Sequence, residues 1–536
     1  MANVNIDRLK TLFISHDLIY TILSIAIICL LILTIVYASL WRNNKTSLNT
    51  STFENEIIGY PIRLPNDDQY VQWIFLQMND IYELLPLDGG RKGGLARVAY
   101  IRKLLKQENS NTYTILAGDL LSPSALSLSK VNGTALNGKQ MIATMNTLGL
   151  DFATFGNHEF DLSEKDLLNR MNESAFTWIS TNVFRLDNNQ TFGSSISYKI
   201  ISIDTVRILL IGITMDGIGS YVRIVSQSSL VNYIQEFLRS FSNASYDVLV
   251  AITHVPMETD IQLASSIPQI NLIMGGHEHD NYYYLRGTKY VPIYKADANA
   301  CTVYIHRCAY NLNTKRFRIY SMLAQVTSEI PDEENTAAVA KYWFNLGIEG
   351  FRVLGYEPNA IVSCLPVDIE LDGRAASVRS SITLLTAIIC ESMLQLTEIN
   401  RTTIGIINGG AIRIDDILRN TIIQYDILRA LPFVNLIVVL SVPGQLLAQI
   451  LTTGISLKGS GMFLAYTRIE TLDDGKTWLH NGTDISKSSL YYNVVTIDYI
   501  HRSTQFNNRD VTTLYETNVT LTKCFMEYLK SKYPPC

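Results

Sequence analysis

The chain is short of charge. Of its 536 residues only 17% are Asp, Glu, Lys or Arg, against roughly 25% in ordinary soluble domains, so an uncharged apolar segment is expected somewhere. A basic excess is also missing: 44 Lys and Arg stand against 49 Asp and Glu, a net charge of −5. Nothing is left over to neutralise a phosphate backbone, which argues against a nucleic-acid partner. No low-complexity tract, Gly-X-Y period or sustained heptad occurs, and disorder, collagen and coiled coil are excluded with them. The seven cysteines include no Cys-x-x-Cys pair, so a thiolate zinc site is not expected. What is plentiful is apolar material, 47% of the residues, enough for large cores.

One segment accounts for much of the missing charge. Leu18 to Trp41 is 24 residues without a charged side chain. At about 1.5 Å per residue, a helix of that length spans the roughly 30 Å hydrocarbon core of a bilayer. Tyr20, Tyr37 and Trp41 stand towards its ends, where aromatic belts form. The segment reads as an uncleaved membrane anchor; a secretory signal cleaved near Ala38 is the alternative. Nine Asn-x-Ser/Thr acceptors follow it: Asn44, Asn49, Asn132, Asn172, Asn189, Asn243, Asn400, Asn481 and Asn518. Their one-sidedness suits a glycosylated extracellular or lumenal body. Six cysteines lie outside the span, an even number that suits an oxidising compartment. Their connectivity is not readable; pairing neighbours along the chain gives Cys301–Cys308, Cys364–Cys390 and Cys524–Cys536.

Residues 1–17 then form a cytosolic tail, and 42–70, rich in Asn, Thr, Ser and Pro, a stalk. From Val71 short apolar runs recur: Trp73–Met78, Tyr113–Ala117, Phe152–Phe155, Ile208–Ile213, Val248–Thr253 and Ile270–Met274. Helix-like stretches such as Ala96–Lys106 and Gly138–Leu148 separate several of them. That alternation predicts an α/β domain over 71–327. An acidic, Ala-containing stretch after Ile330-Pro331 reads as a linker helix within 328–354. A second set of strands and helices fills 355–536.

Several apolar runs end in the same kinds of residue. Trp73–Met78 leads into Asn79-Asp80-Ile81-Tyr82, Tyr113–Ala117 into Gly118-Asp119, and Phe152–Phe155 into Gly156-Asn157-His158-Glu159-Phe160-Asp161. Val248–Thr253 ends in His254, and Ile270–Met274 in Gly275-Gly276-His277-Glu278-His279-Asp280. Ligands of open α/β sheets bind beyond the carboxyl ends of the strands. Four of the chain's eight histidines fall there. Carboxylate, amide oxygen and imidazole together suit Zn²⁺, Mn²⁺ or Fe, with Mg²⁺ a further choice. Asp80, Asp119, Asn157, His254, His277 and His279 are too many ligands for one tetrahedral ion. They suggest two divalent ions sharing a carboxylate about 3.5–4 Å apart, a pair that activates water and neutralises an anionic centre such as a phosphate ester.

These motifs, in this order, resemble the calcineurin-like metallophosphoesterases. Gly93-Gly94-Leu95-Ala96-Arg97 and Pro292-Ile293-Tyr294-Lys295-Ala296-Asp297-Ala298-Asn299 narrow the resemblance to the 5′-nucleotidase family, as do Asn408-Gly409-Gly410-Ala411-Ile412-Arg413 and Leu431-Pro432-Phe433 downstream. The resemblance implies a four-layer α/β catalytic domain, two sheets sandwiched by helices, and a C-terminal α/β substrate-binding domain. It implies that Asp119 bridges two metals, that Asp80 and His279 hold one, and that Asn157, His254 and His277 hold the other. His158 would then act on the phosphoryl group and Asp161 would orient it. Arg379, Asn408, Gly409, Gly410 and Arg413 would bind substrate, with Phe433 and Tyr499 stacking on a base. Glu159 and Glu278 read as supporting residues.

The chain departs from the family in three places. Asp-x-His becomes Asp80-Ile81-Tyr82, so Tyr82 either ligates a metal or merely lines the site. Ile382 and Ala387 stand where the family has Glu and Asn after the phosphate-contacting Arg. The Gly-Gly-Asp-Gly stretch beyond the second aromatic is missing; the chain reads His501-Arg502-Ser503-Thr504-Gln505-Phe506. The expected function is metal-dependent hydrolysis of phosphate monoesters, foremost nucleoside 5′-monophosphates in nucleotide catabolism. Two readings stay open beside it: a phosphatase or pyrophosphohydrolase for sugar phosphates or nucleotide sugars, and a binding protein whose catalytic site has decayed.

Overall fold

The computed structural model describes residues 25, 28–34, 36, 54–62, 64, 69–216, 220–241, 245–398, 401–502 and 506–536. The chain divides into two compact units, Met1–Tyr60 and Pro61–Cys536. In the first, residues 28–34 and 54–58 are helical. The Leu18–Trp41 span lies largely outside the described residues, and among those described no helix is long and apolar enough to cross a membrane. Of the glycosylation acceptors, Asn44, Asn49, Asn243 and Asn400 also lie outside them.

The second unit is built on strands that are apolar on both faces. Val248–His254 is buried at every residue, and Val206–Thr214 at all but Arg207. Such strands need cover on both sides, and alternate side chains go to opposite cores. Ile208, Leu210, Val250, Ile252, Leu272 and Met274 join Trp73, Phe75, Ile115 and Ala117 in a core between two sheets. Leu209, Ile211, Ile213, Leu249, Ala251 and Ile273 face the other way. They meet Leu230, Ile234 and Leu238 of the helix Gln227–Arg239 and Leu263 of Met257–Ser266.

Each sheet has six strands. The first runs in the order Arg316–Gln325, Thr302–Asn311, Tyr70–Met78, Thr112–Ala117, Phe152–Thr154, Thr177–Trp178. The second runs Tyr282–Arg286, Val291–Lys295, Ile270–Gly275, Val248–His254, Val206–Thr214, Tyr198–Ile203. Tyr70–Met78, Thr112–Ala117 and Phe152–Thr154 run parallel in the first sheet, as do Val291–Lys295, Ile270–Gly275, Val248–His254 and Val206–Thr214 in the second, so the carboxyl ends of each set gather on one side. The helices Leu95–Glu108, Lys139–Leu148 and Glu334–Val353 pack on one another, and the first packs against Thr112–Ala117. Glu333 starts the last of these by accepting hydrogen bonds from the Asn335 and Thr336 amides, an N-cap. The C-terminal half holds a five-stranded sheet in the order Leu464–Thr467, Ile404–Asn408, Tyr491–Ile497, Leu436–Pro443, Thr512–Thr520. Leu384–Leu396 and Leu521–Lys532 pack together beside it.

The neighbour pairing of cysteines is wrong. The disulfide is Cys364–Cys536, and Cys301, Cys308, Cys390 and Cys524 are free. Cys308 lies within the extended strand Thr302–Asn311 and Cys301 just before it. Seven residues of strand separate them by about 23 Å, far beyond the reach of a disulfide, about 7 Å between Cα atoms. Cys390 is buried in the helix Leu384–Leu396, and the Cys524 thiol donates to the Ser392 carbonyl at 3.2 Å. Cys364 ends the strand Ile361–Cys364, whose backbone meets the chain end through Cys364 N–H to Pro534 O at 3.3 Å. The bond closes a sequence separation of 172 residues. Cys536→Ser should lower unfolding stability by about 2–4 kcal/mol, measured by denaturant titration, while a peptide map of the wild type should recover a Cys364–Cys536 crosslink.

Candidate metal centre and active site

The parallel strands deliver their polar ends to one place. Asp80 N–H donates to Gly118 O at 3.0 Å and Ile81 N–H to Asp119 O at 2.8 Å, so the first two loops are laced together. Asn299 closes the third side. Its N–H donates to Asp80 O at 2.8 Å, and its side-chain oxygen accepts from Tyr82 N–H at 2.9 Å. Asp80, Asp119, His277 and His279 all have left-handed backbones, with φ of 53°, 57°, 95° and 70°. Conformations of this kind cost of order 1–3 kcal/mol each and cluster at functional sites. Two glycines make the close approach possible. A Cβ on Gly156 would lie 2.0 Å from Asp119 Oδ1, and one on Gly118 would lie 2.4 Å from His254 Nδ1.

Asp119 is the centre of the cluster. Its Oδ1 accepts from His158 N–H at 3.0 Å and its Oδ2 from the Tyr82 hydroxyl at 2.8 Å. His254 Nε2 lies 3.4 Å from Oδ2. Asp80 accepts from the Asn79 amide at 2.7 Å and from His277 N–H at 2.9 Å. Asp80, Asp119 and His254 can offer ligand atoms to a single ion.

Two groups of donors follow, and they differ. In the first, His254 donates its Nδ1–H to Ala117 O at 2.8 Å, which aims Nε2 into the cluster. That Nε2 and Asn157 Oδ1 are both buried without a hydrogen-bond partner. Buried polar atoms are rarely left so. His277 stands beside them, its ring 5.4 Å from that of His254. Asp119 and His254, with Asp80, lie within reach of one divalent ion, and Asn157 and His277 are further donors on this side. In the second group the atoms already satisfy one another. The Tyr82 oxygen is 2.8 Å from Asp119 Oδ2, 3.4 Å from Asp80 Oδ1 and 3.3 Å from His279 Nε2. Arg413 donates to it from Nη2 at 2.9 Å. This group does not fit a second ion as it stands.

Electrostatics point the same way. Burial opposes charge on His254, yet Asp119 and Asp80 outweigh it and hold the imidazole up at about 10. The buried carboxylates thus draw a proton where no other cation is present. Burial would raise Asp119, but His254 and His158 keep it ionised, well below the usual carboxylate range. Glu159 is pushed up to about 7 by burial and by Asp119. It accepts from the amides of Leu120, Leu121, Asp119 and Gly156 at 2.6–3.1 Å and ties the second and third loops together. Glu278 does similar work on the other side. It accepts from Met257 N–H at 2.6 Å and pairs with buried Lys295 at 2.6 Å, which also holds Asp260 at 2.9 Å.

His158 lies at the edge of the cluster with its Nδ1 2.7 Å from Asp161 Oδ2, and Ser122 donates to the same oxygen at 2.9 Å. A carboxylate on Nδ1 fixes the tautomer and leaves Nε2 for other partners.

The C-terminal half reaches into this site. Arg379 and Arg413 are both buried, and each has an unpartnered Nε. Each guanidinium feels the Asp80 and Asp415 carboxylates. Asn408 donates to Gly461 O at 2.8 Å, leaving its own oxygen buried and unpartnered. Gly409 packs on Val378 O and Gly410 on Gly461 O, so the loop sits against the turn that carries Arg379. Tyr499 is half-exposed, its hydroxyl on Met462 Sδ at 3.9 Å. Burial and the Asp161 carboxylate raise its phenol. Phe433 is half-buried and has no ring partner among the described residues. Sequence reasoning missed Asp415. It accepts from His279 Nδ1 at 2.6 Å and from Ala375 N–H at 2.9 Å. It follows Arg413 by two residues, the only local signal available.

The Gly156 contact gives a direct test. Gly156→Ala forces a methyl into Asp119 and should lower stability by about 1–3 kcal/mol. Denaturation with metal analysis should show both that loss and a fall in bound Mn²⁺.

Comparison with known proteins places this geometry. The calcineurin-like phosphoesterase family matches residues 74–281, and the 5′-nucleotidase C-terminal domain matches 366–506. The trifunctional nucleotide phosphoesterase protein YfkN of Bacillus subtilis is 26% identical over 413 residues, 68% of this chain and 27% of that protein. A snake venom 5′-nucleotidase from Gloydius brevicauda is 22% identical over 405 residues, 69% of this chain and 66% of its own. The alignments thus cover from about a quarter to two thirds of these relatives. The crystal structure of a 5′-nucleotidase precursor from Thermus thermophilus shares the fold, with a TM-score of 0.71, 19% identity, and coverage of 86% of this chain and 97% of that one. Residues 74–281 thus match the calcineurin-like phosphoesterases and residues 366–506 the 5′-nucleotidase C-terminal domain, in that order along the chain.

Proposed function

We propose that the chain hydrolyses phosphate monoesters, with nucleoside 5′-monophosphates as its substrates. One observation carries the reading: Arg413 of the C-terminal half reaches the Tyr82 hydroxyl at 2.9 Å and His279 Nε2 at 3.4 Å, beside the Asp80–Asp119–His254 cluster of the first half. Cationic side chains and a metal-binding cluster on one small space suit a dianionic phosphoryl group. A divalent ion at Asp119, Asn157, His254 and His277 supplies positive charge and lowers the pKa of water. The chain's own residues do the rest. Arg379 and Arg413 hold the phosphate oxygens. His158, with Nδ1–H on Asp161, offers Nε2 to the phosphoryl group. Asn408 directs its free oxygen to a hydroxyl of the substrate. Phe433 and Tyr499 offer ring faces to a base. The 5′-nucleotidase names of the relatives support the same substrate class.

The location follows as part of the proposal. We place the body outside the cell or in a lumen, held by the 18–41 segment or released from it. The Cys364–Cys536 disulfide supports that reading, since such bonds persist in oxidising compartments.

Two outcomes test the chemistry. His158→Ala should lower kcat by about 10²–10⁴-fold with bound metal unchanged, read by phosphate release and metal analysis. Loss of metal would instead make His158 a ligand. Phe433→Ala should cost a nucleoside monophosphate about 5- to 150-fold in kcat/KM, since base stacking is worth about 1–3 kcal/mol. A simple sugar phosphate should be nearly unaffected. Equal losses for both would make Phe433 a packing residue and favour the sugar-phosphate reading.

A further inference from the structure

The relation between Arg413 and Tyr82 has a consequence for the number of metals. The family pattern has His where this chain has Tyr82, and the phenol is fully engaged. It donates to Asp119 Oδ2 at 2.8 Å and accepts from Arg413 Nη2 at 2.9 Å. The Arg413 guanidinium carbon lies 5.1 Å from the Tyr82 ring centroid, and Nη2 lies 3.4 Å from His279 Nε2. Asp415 holds His279 Nδ1 at 2.6 Å, so Nε2 is the nitrogen that faces Asp80, Tyr82 and Arg413. An ion ligated by His279 Nε2 and Asp80 Oδ1, themselves 3.4 Å apart, would sit about 2.0–2.2 Å from each. The guanidinium would then lie beside a dication in a water-poor site, where like charges repel strongly. A neutral phenol oxygen is also a poorer ligand than the imidazole it replaces. The contrast is internal to the site: Asn157 Oδ1 is buried without a partner and His254 Nε2 faces only the Asp119 and Asp80 carboxylates, at 3.4 and 3.9 Å, whereas Tyr82 and His279 also meet the Arg413 guanidinium.

We propose that this chain holds a single divalent ion, at Asp119, Asn157, His254 and His277, and that the Arg413 guanidinium seated on Tyr82 takes the place of a second one. The inference rests on the phosphoester-hydrolase reading of this site and puts one metal and one arginine where the sequence led to an expectation of two metals. It also makes the C-terminal half a donor of catalytic charge. The two positive centres that face the phosphoryl group then come from different halves of the chain.

The test is Mn²⁺ binding to the purified full chain, by calorimetry and electron paramagnetic resonance. The expected result is one ion per chain with the spectrum of an isolated Mn²⁺. His277→Ala should lose that ion, and His279→Ala should keep it. Tyr82→His combined with Arg413→Gln should gain a second ion and show exchange coupling between neighbours, with the second affinity raised at least tenfold over wild type. Two ions of similar affinity in the wild type, with a coupled spectrum, would overturn the proposal without any variant. A double variant that still binds one ion would overturn the role given to Tyr82 and Arg413. The readout is separate from catalysis. Phosphate release with two coupled ions would sink this inference and spare the proposed function, whereas one isolated ion without phosphate release would do the reverse.

Discussion

Asp80 and Asp119 are carboxylates removed from water at the ends of adjacent strands, with 0% and 1% of their surfaces exposed. Burying a carboxylate without compensation is costly, and the surrounding structure supplies the compensation. Amide and phenol hydrogens from Asn79, His277, His158 and Tyr82 reach three of the four oxygens. The Asp119 and Asp80 charges are strong enough to hold buried His254 at about 10. The left-handed loops and the glycines at 118 and 156 are the local conditions for that crowding. A site that so favours positive charge takes protons, metal ions or guanidinium groups according to what the chain presents. The same chain presents imidazoles on one side of Asp119 and an arginine on the other.

The parts of this arrangement that were legible in the sequence are those coded locally. A strand is an apolar run, and the polar residues of this site stand one to five places beyond one, so Asp80, Asp119, Asn157, His254, His277 and His279 are readable from spacing as candidates, of which Asp80, Asp119 and His254 come within reach of one ion. The partners that hold them were not, because they are coded at a distance. Asp415 is 136 residues from His279. Glu108 pairs with Arg307 across 199 residues, at 2.7 and 2.6 Å. That last pair explains why the strand Thr302–Asn311 was missed. It carries His306 and Arg307 at fully or nearly fully buried positions, and a run containing them looks unlike a central strand. Gln77, 2.9 Å from His306 Nε2, Ser321, 2.7 Å from its Nδ1, and Glu108 satisfy those two side chains inside the sheet. The disulfide failed for the same reason: proximity along the chain says little about a bond closed across 172 residues. Tyr82 was visible as a departure, but its role depends on Arg413, 331 residues away.

The two halves meet through charge. Glu83 pairs with Arg429 at 3.0 Å, Asp88 N–H donates to Asp416 at 3.1 Å, His279 meets Asp415, and Tyr82 meets Arg413. Buried ion pairs contribute little net stability, because desolvation offsets most of the attraction, but removing one partner is strongly destabilising. Contacts of that kind define a geometry more than they strengthen it. Here the geometry they define is that of the site itself. Asp415 fixes the His279 ring and Arg413 is seated on the Tyr82 phenol, so the docking contacts and the candidate catalytic contacts are partly the same atoms. It follows that a shift of the C-terminal half would move the Arg413 guanidinium relative to Asp80 and Asp119. Substrate arginines, metal ligands and the join between the halves therefore form one electrostatic problem, and a substitution at any of the three will be felt at the other two.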